Sequence, residues 1–251
     1  MSEAPVDIWP LGIGTRLTLK AGCVLIRDGA QHLLVDPGRF PDRDSLERAL
    51  TETAGIGVAD LDVVFFTHLH FDHYDDLGFA DVGRVALPAR ELELVAELRA
   101  HRHDPERFGR EIRARHDHVS GIFLRQFVRL ADDPRYEFAS VSFRERLWPL
   151  QAGARLSPGV QVVDLPGHSV GHLGLELRSR WGRTVVAGDA VLSLEDWRQD
   201  SPAHHLVSFD AAAVQRTRRA LADFDCVIPG HGAWFAPSTG TELEHPEAPH
   251  G

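Results

Sequence analysis

Apolar residues recur along this chain in two rhythms. Short apolar runs bounded by turn formers dominate the first and last thirds, and a helical spacing dominates the middle. Residues 16–19, 23–27 and 32–35 are predicted strands, with Asp28-Gly29 as a hairpin turn between the last two. Residues 43–53 carry Leu46, Ala49 and Leu50 on one helical face. The run 61–66, apolar but for Asp62, fits a strand buried on both sides. From Pro88 to about Leu130 the spacing changes: Leu92, Val95 and Leu98, then Phe108 and Ile112, then Ile122 and Phe127 mark two or three helices. Breaks are expected near Asp104-Pro105 and Gly121. Strands return at 160–165, 173–177, 184–187 and 226–228, with a helix at 209–222. No repeat or low-complexity linker divides the chain, so the expectation is one domain, 1–251. It would hold a helical insertion at 88–130 and a mobile tail at 238–251, rich in Pro, Glu, Gly and Thr.

Composition narrows the class. The 251 residues suffice for a large core. With 43% hydrophobic and 25% charged residues the chain has the balance of a soluble globular protein. No run approaches the roughly 18 apolar residues of a membrane span. The opening Met-Ser-Glu-Ala-Pro-Val-Asp lacks the features of a secretory signal, so a cytoplasmic location with no membrane partner is expected. A formal net charge of −10 argues against nucleic acid as a partner. Arg107, Arg110, Arg113 and Arg115 are interleaved with Glu106 and Glu111, the pattern of a solvated helix face. Cys23 and Cys226 each sit in an apolar run and are expected as small core residues.

Fifteen histidines are the unusual number, and their placement carries the chemistry. Thr67-His68-Leu69-His70-Phe71-Asp72-His73 follows directly on the apolar strand, at the strand end where open α/β sheets place their ligands. In an extended stretch His68 and His70 point the same way, so both can reach one metal, at about 2.0–2.1 Å for Zn–N. Asp72 and His73, where the chain turns, can face a second position. Three further apolar strands end in a potential ligand after a glycine: Gly167-His168, Gly188-Asp189 and Gly230-His231. Earlier, Leu33-Leu34-Val35 ends in Asp36-Pro37-Gly38. Each of these alone would be an ordinary turn residue. Their recurrence around a dense His/Asp cluster points to a metal site.

The string His68-x-His70-x-Asp72-His73, followed in order by His168, Asp189 and His231, resembles the metallo-β-lactamase-fold hydrolase superfamily. The similarity runs from about Ile8 to Phe235, and the motif is highly specific as a set. The resemblance implies an α/β fold, a four-layer αβ/βα sandwich with its site in a groove at one edge. It also implies a ligand set: His68, His70 and His168 on one metal, Asp72, His73 and His231 on the other, and Asp189 bridging both. Asp36 would support a ligand histidine or the His68–His73 loop by hydrogen bonds. The expected cofactor is two Zn2+, with Fe or Mn also compatible with His and carboxylate ligands. A water shared by two such ions becomes a hydroxide near neutral pH and attacks a carbonyl or phosphoryl centre. Asp72 and Asp189 are the candidate catalytic carboxylates, Asp72 as acceptor of a proton from that water.

The Asp72-His73 ending resembles the lactonase, thioesterase and glyoxalase II branches. The segments 22–38 and Pro166-Gly167-His168-Ser169-Val170-Gly171-His172 look most like N-acyl homoserine lactonases. The partner implied is a small-molecule ester or lactone, and a homodimer is common among such hydrolases. Those lactonases carry a tyrosine soon after the bridging aspartate. Here Asp189 is followed by Ala190-Val191-Leu192-Ser193, and the only tyrosines are Tyr74 and Tyr136. The insertion would select substrate, with Phe108, Ile112, Phe123 and Phe127 as an apolar wall or as packing between helices. His172 is expected to support the ligands, and Trp197 with His204-His205 to line the groove. His101, His103, His116 and His118 are expected as exposed polar positions. The competing readings are a phosphodiesterase on the same metals, a mononuclear iron dioxygenase of the same fold, and a non-catalytic ligand-binding protein.

Overall fold

The computed structural model describes residues 5–15, 20–116, 118–199 and 208–245. The segment 16–19, expected as a strand, and His204-His205 lie outside the described residues.

Two sheets pack face to face. The first runs β1 (Asp7–Gly12), β2 (Cys23–Asp28), β3 (Gln31–Val35), β4 (Val63–Phe65), β5 (Arg84–Pro88) and β6 (Leu147–Leu150), in that spatial order. β1–β3 are antiparallel, and β3 to β6 are parallel. The second sheet has the order β13-β12-β11-β10-β9-β8-β7. Its strands are β7 (Arg155–Ser157), β8 (Val160–Asp164), β9 (Leu173–Ser179), β10 (Gly182–Gly188), β11 (Cys226–Pro229), β12 (Phe235–Ala236) and β13 (Thr241–Glu242). It is antiparallel except where β10 meets β11.

Side-chain alternation explains the layering. In β2, Val24 and Ile26 face the second sheet while Cys23 and Leu25 face helices. In β4, Val63 and Phe65 face the second sheet, whereas Val64 and the following Phe66 face the other way. β10 and β11 send Val186, Cys226 and Ile228 into the inter-sheet core and Val185, Ala187 and Val227 outward. Each outer face is covered by helices. α1 (Arg43–Ala54), α2 (Ala89–Ala100), α3 (Pro105–Arg115) and α4 (Gly121–Phe127) cover the first sheet. α5 (Leu194–Gln199) and α6 (Ala211–Leu221) cover the second. The result is the expected αβ/βα sandwich.

Helix limits follow local chemistry. Asp42 caps α1 by accepting from Ser45 N, and Gly55 ends it in the left-handed region at φ 67°. Asp104 caps α3 by accepting from Arg107 N, with Pro105 as its first residue. The breaks fall where Asp104-Pro105 and Gly121 place them. The expected hairpin is a two-residue turn over Gly29-Ala30, with Asp28 paired to Gln31.

β5 and β6 are adjacent parallel strands, so the helices from α2 onward form the crossover between them. Phe108, Ile112 and Phe127 are buried in one cluster with Val95 and Leu98 of α2. They pack these helices together and do not form a wall for the site. The segment from residue 238 contributes β13, which pairs with β12. Residues 246–251 lie outside the described residues. Cys23 and Cys226 are free thiols buried in different clusters. Among the described residues no helix is long and apolar enough to cross a membrane.

Candidate metal centre

The loops leaving β3, β4, β8, β10 and β11 meet at one edge of the sandwich, and each carries one or more of the expected residues. Backbone bonds knit these loops together. Asp36 N donates to Phe65 O at 3.0 Å and Gly38 N to His73 O at 2.8 Å. Leu173 N donates to Thr67 O at 2.9 Å, joining the two sheets. Gly230 N donates to Gly188 O at 2.8 Å, and His231 N to Leu192 O at 2.7 Å. A Cβ at Gly230 would overlap the Asp189 carboxylate, so only glycine lets these two loops approach.

Two groups of ligand atoms result. His68, His70, His168 and Asp189 converge, each group member within 4.8 Å of the others, and Asp72, His73 and His231 form a second set on the same criterion. Asp189 stands between them. Its Oδ2 lies 3.4 Å from His168 Nε2, while its Oδ1 lies 3.1 Å from His73 Nε2 and 3.3 Å from His231 Nε2. Asp72 Oδ2 is 3.4 Å from His231 Nε2 and 3.9 Å from His73 Nε2. All seven residues of the implied ligand set are therefore gathered at one place.

Asp36 explains how the histidines are oriented. Its Oδ1 accepts from Thr67 N at 2.8 Å, and its Oδ2 accepts from Thr67 Oγ1 at 2.7 Å. The same Oδ2 lies 2.8 Å from His73 Nδ1, which must therefore donate. Because the Thr67 hydroxyl gives its proton to Asp36, its oxygen accepts from His68 Nδ1 at 3.0 Å. His231 Nδ1 donates to Lys20 O at 3.0 Å. In all three rings the proton sits on Nδ1, and the Nε2 lone pair faces the cluster. His68 Nε2 is buried with no hydrogen-bond partner among the described residues, which is costly for a polar atom unless something binds it. A divalent cation fits that atom and the mixed imidazole and carboxylate donors around it.

Electrostatics agree with this. Burial pushes His68 well below the ordinary histidine range, helped by the neighbouring imidazoles of His73, His70 and His168. Burial also lowers His70, against the pull of Asp72 and Asp189. At His73 burial is outweighed by Asp189, Asp36 and Asp72, which hold the ring well above its ordinary value. His231 is raised in the same way, mainly by Asp189 against burial. Burial would raise Asp189, but His73, His231 and His168 hold it well below the usual carboxylate range.

The surrounding residues fall into place unevenly. His172 is buried with its ring 4.9 Å from that of His68, a supporting position as expected. His116 and His118 meet the Phe209 ring edge-on at 5.1 and 5.7 Å, and Phe209 N donates to His168 O, so they abut a ligand loop without joining either group. His101 and His103 lie in the turn between α2 and α3, His101 half-buried and His103 exposed. Trp197 is half-buried and packs against Phe235 and beneath Arg218. Tyr136 Oη donates to Leu69 O at 2.6 Å, within the metal loop, and Tyr74 Oη donates to Arg135 O. Both phenols are buried and pushed above their ordinary range by desolvation, so each braces backbone and neither faces substrate. Nothing in the motif marks Tyr136, since it is distant in sequence. Thr67 could have been found from its place before His68.

The metallo-beta-lactamase superfamily profile matches residues 21–231. Ribonuclease Z of Mycobacterium avium (strain 104) is 30% identical over 242 residues, covering 86% of this chain and 83% of that protein. A metallo-beta-lactamase family protein from Thermus thermophilus is similar in structure, with a TM-score of 0.55, 25% identity, and coverage of 92% of this chain and 75% of that one. An N-acyl homoserine lactone hydrolase with N-hexanoyl-L-homoserine bound at its catalytic metal centre matches with a TM-score of 0.56. It is 17% identical, with coverage of 92% of this chain and 94% of that one. The chain belongs to the metallo-beta-lactamase superfamily.

Proposed function

We propose that this protein is a hydrolase with two metal ions, zinc by the chemistry of its donors, acting on a lactone or a related ester or thioester of a small molecule. The observation that carries the reading is Asp189, whose two oxygens face the two ligand groups from between them. Two ions held there would supply an activated water and an electrophilic contact for the oxygen of the scissile group. The chain's own part is positional: Asp36, Thr67 and the Lys20 carbonyl fix which ring nitrogens carry protons. Asp72, in the second ligand group beside His231, would take a proton from the attacking water. Phe71, between His70 and Asp72, is 47% exposed and offers an apolar surface to an acyl or aryl group. The formal charge of −10 also favours a small uncharged substrate over a polyanion.

A second reading, phosphodiester hydrolysis, is supported by the ribonuclease Z relative, which spans most of the chain. The same metals serve either centre. The deciding experiment is elemental analysis of the purified protein with a panel of acyl homoserine lactones, other lactones, aryl esters, glutathione thioesters, bis(p-nitrophenyl) phosphate and RNA. Two zincs with turnover confined to carboxylic esters or thioesters supports the first reading. Turnover confined to the phosphodiesters replaces it with the second. One iron with oxygen consumption, or no turnover at all, removes both.

A further inference from the structure

The crossover between β5 and β6 begins with α2, and the first turn of α2 is pressed against a ligand loop. A Cβ at Gly171 would stand 2.8 Å from Arg90 Cβ and 2.9 Å from Glu91 N, so a bare backbone is needed there. Glu91 is 2% exposed, which is rare for a glutamate, and no salt bridge reaches it among the described residues. Its Oε1 accepts from Gly171 N at 2.7 Å. The Leu69 backbone N–H and the Ser169 hydroxyl stand beside the same carboxylate. Burial pushes this carboxyl up while these groups pull it down.

The identities of the two amides matter. Leu69 lies between His68 and His70, and Gly171 lies three residues after His168. One buried carboxylate therefore bonds the loop that follows His168 and lies against the loop that carries His68 and His70. The Leu69 peptide is gripped from its other side as well, because Tyr136 Oη donates to Leu69 O at 2.6 Å. Both grips come from the same crossover. No comparable contact reaches the Asp72, His73 and His231 group from Glu91 among the described residues.

We propose that Glu91 is a positioning residue for the ion held by His68, His70 and His168, setting the spacing of the two loops that supply them. Tyr136 assists from the opposite face of the Leu69 peptide. The crossover thus acts as a brace on one half of the metal centre. This rests on the reading of the cluster as a metal site.

The test is a zinc titration of the metal-free full chain against a chromophoric chelator. The same titration is run in the H231A background, where the second ligand group is disabled. Wild type should bind two zincs; if it binds none, the metal reading itself fails and Glu91 is moot with it. E91Q keeps the shape but replaces one carboxylate oxygen by an NH2 that faces the neighbouring backbone amides. It should weaken one of the two zincs about 10- to 100-fold and leave the other unchanged, with the same loss in H231A. E91D, which keeps the charge, should recover part of that loss. Circular dichroism and melting of the metal-free forms monitor the fold. If E91Q does not fold, Y136F decides: a selective loss at the same zinc supports the brace, and none overturns it. Equal affinities for wild type and E91Q, or equal weakening of both zincs, overturns the proposal.

Discussion

Replacing Asp36 by asparagine tests the hydrogen-bond logic of the centre more sharply than replacing any ligand. Asp36 has φ 51° and ψ 59°, in the left-handed region, and asparagine is among the few residues that tolerate it. The backbone therefore survives the change. One amide oxygen can still accept from Thr67 N. The new NH2 replaces Oδ2, the atom that accepted from both the Thr67 hydroxyl and His73 Nδ1. Two donors then face a donor. Each such bond to a charged group contributes about 1.5–3 kcal/mol, so about 3–6 kcal/mol of interaction is at stake.

Part of that is recoverable, and the recovery does the damage. The Thr67 hydroxyl can turn to donate to His68 Nδ1, and His73 can move its proton to Nε2 so that Nδ1 accepts. Both adjustments relieve the buried clash by placing protons on the Nε2 atoms that face the ligand groups. The expected outcome is a loss of about 2–4 kcal/mol in unfolding free energy of the metal-free protein. Zinc affinity should fall about 10- to 100-fold in each group. T67V removes only the hydroxyl that orients His68. It should weaken the His68, His70 and His168 zinc alone. The assays are urea denaturation without metal and zinc titration against a competing chelator. D36N with both affinities within threefold of wild type would falsify the tautomer argument. T67V weakening both zincs alike would refute its division between the two groups.

Other expectations follow from the same geometry. His73 and His231 hold protons to higher pH than ordinary histidine, whereas His68 and His70 are depressed. Protons compete with metal, so stepwise acidification should strip zinc from the Asp72, His73 and His231 group first, as read by zinc retained after dialysis in wild type and H231A. In the metal-free protein the sign reverses. The stability contributed by raised His73 and His231 is fully present below the ordinary histidine pKa and is lost as pH rises through their raised values. G230A drives a methyl group into the Asp189 carboxylate, so it should cost at least about tenfold in affinity at both zincs, measured by the same titration. R218M leaves Asp196, which meets Arg218 at 2.6 Å and is wholly buried, without its cation. It should lose about 3–5 kcal/mol by urea denaturation, and adding D196N should restore part of it.

What could be read from the chain, and what could not, divides along the range of the interactions. Strand and helix identities depend on periodicities of two and 3.6 within a few residues, so β2, β4 and the breaks between α2, α3 and α4 were legible. The ligands were legible for a related reason. Four of them follow one apolar strand and His168, Asp189 and His231 each end another, and parallel or adjacent strands must bring their ends to one edge of the sheet. β5 and β6 were harder, because each is a short segment whose burial depends on a neighbour over fifty residues away. Phe108 and Phe127 show the same limit: an apolar helical stripe states that a face is buried, not what covers it. The contacts that orient the site are the least visible. Asp36 is legible because it too ends a strand, but Tyr136 reaches Leu69 across 67 residues and Glu91 reaches Gly171 across 80. In the sequence both are ordinary members of helical turns. Only the crossover's return to the sheet makes them part of the metal centre, so substitutions in this outwardly remote segment should change metal affinity before they change the fold.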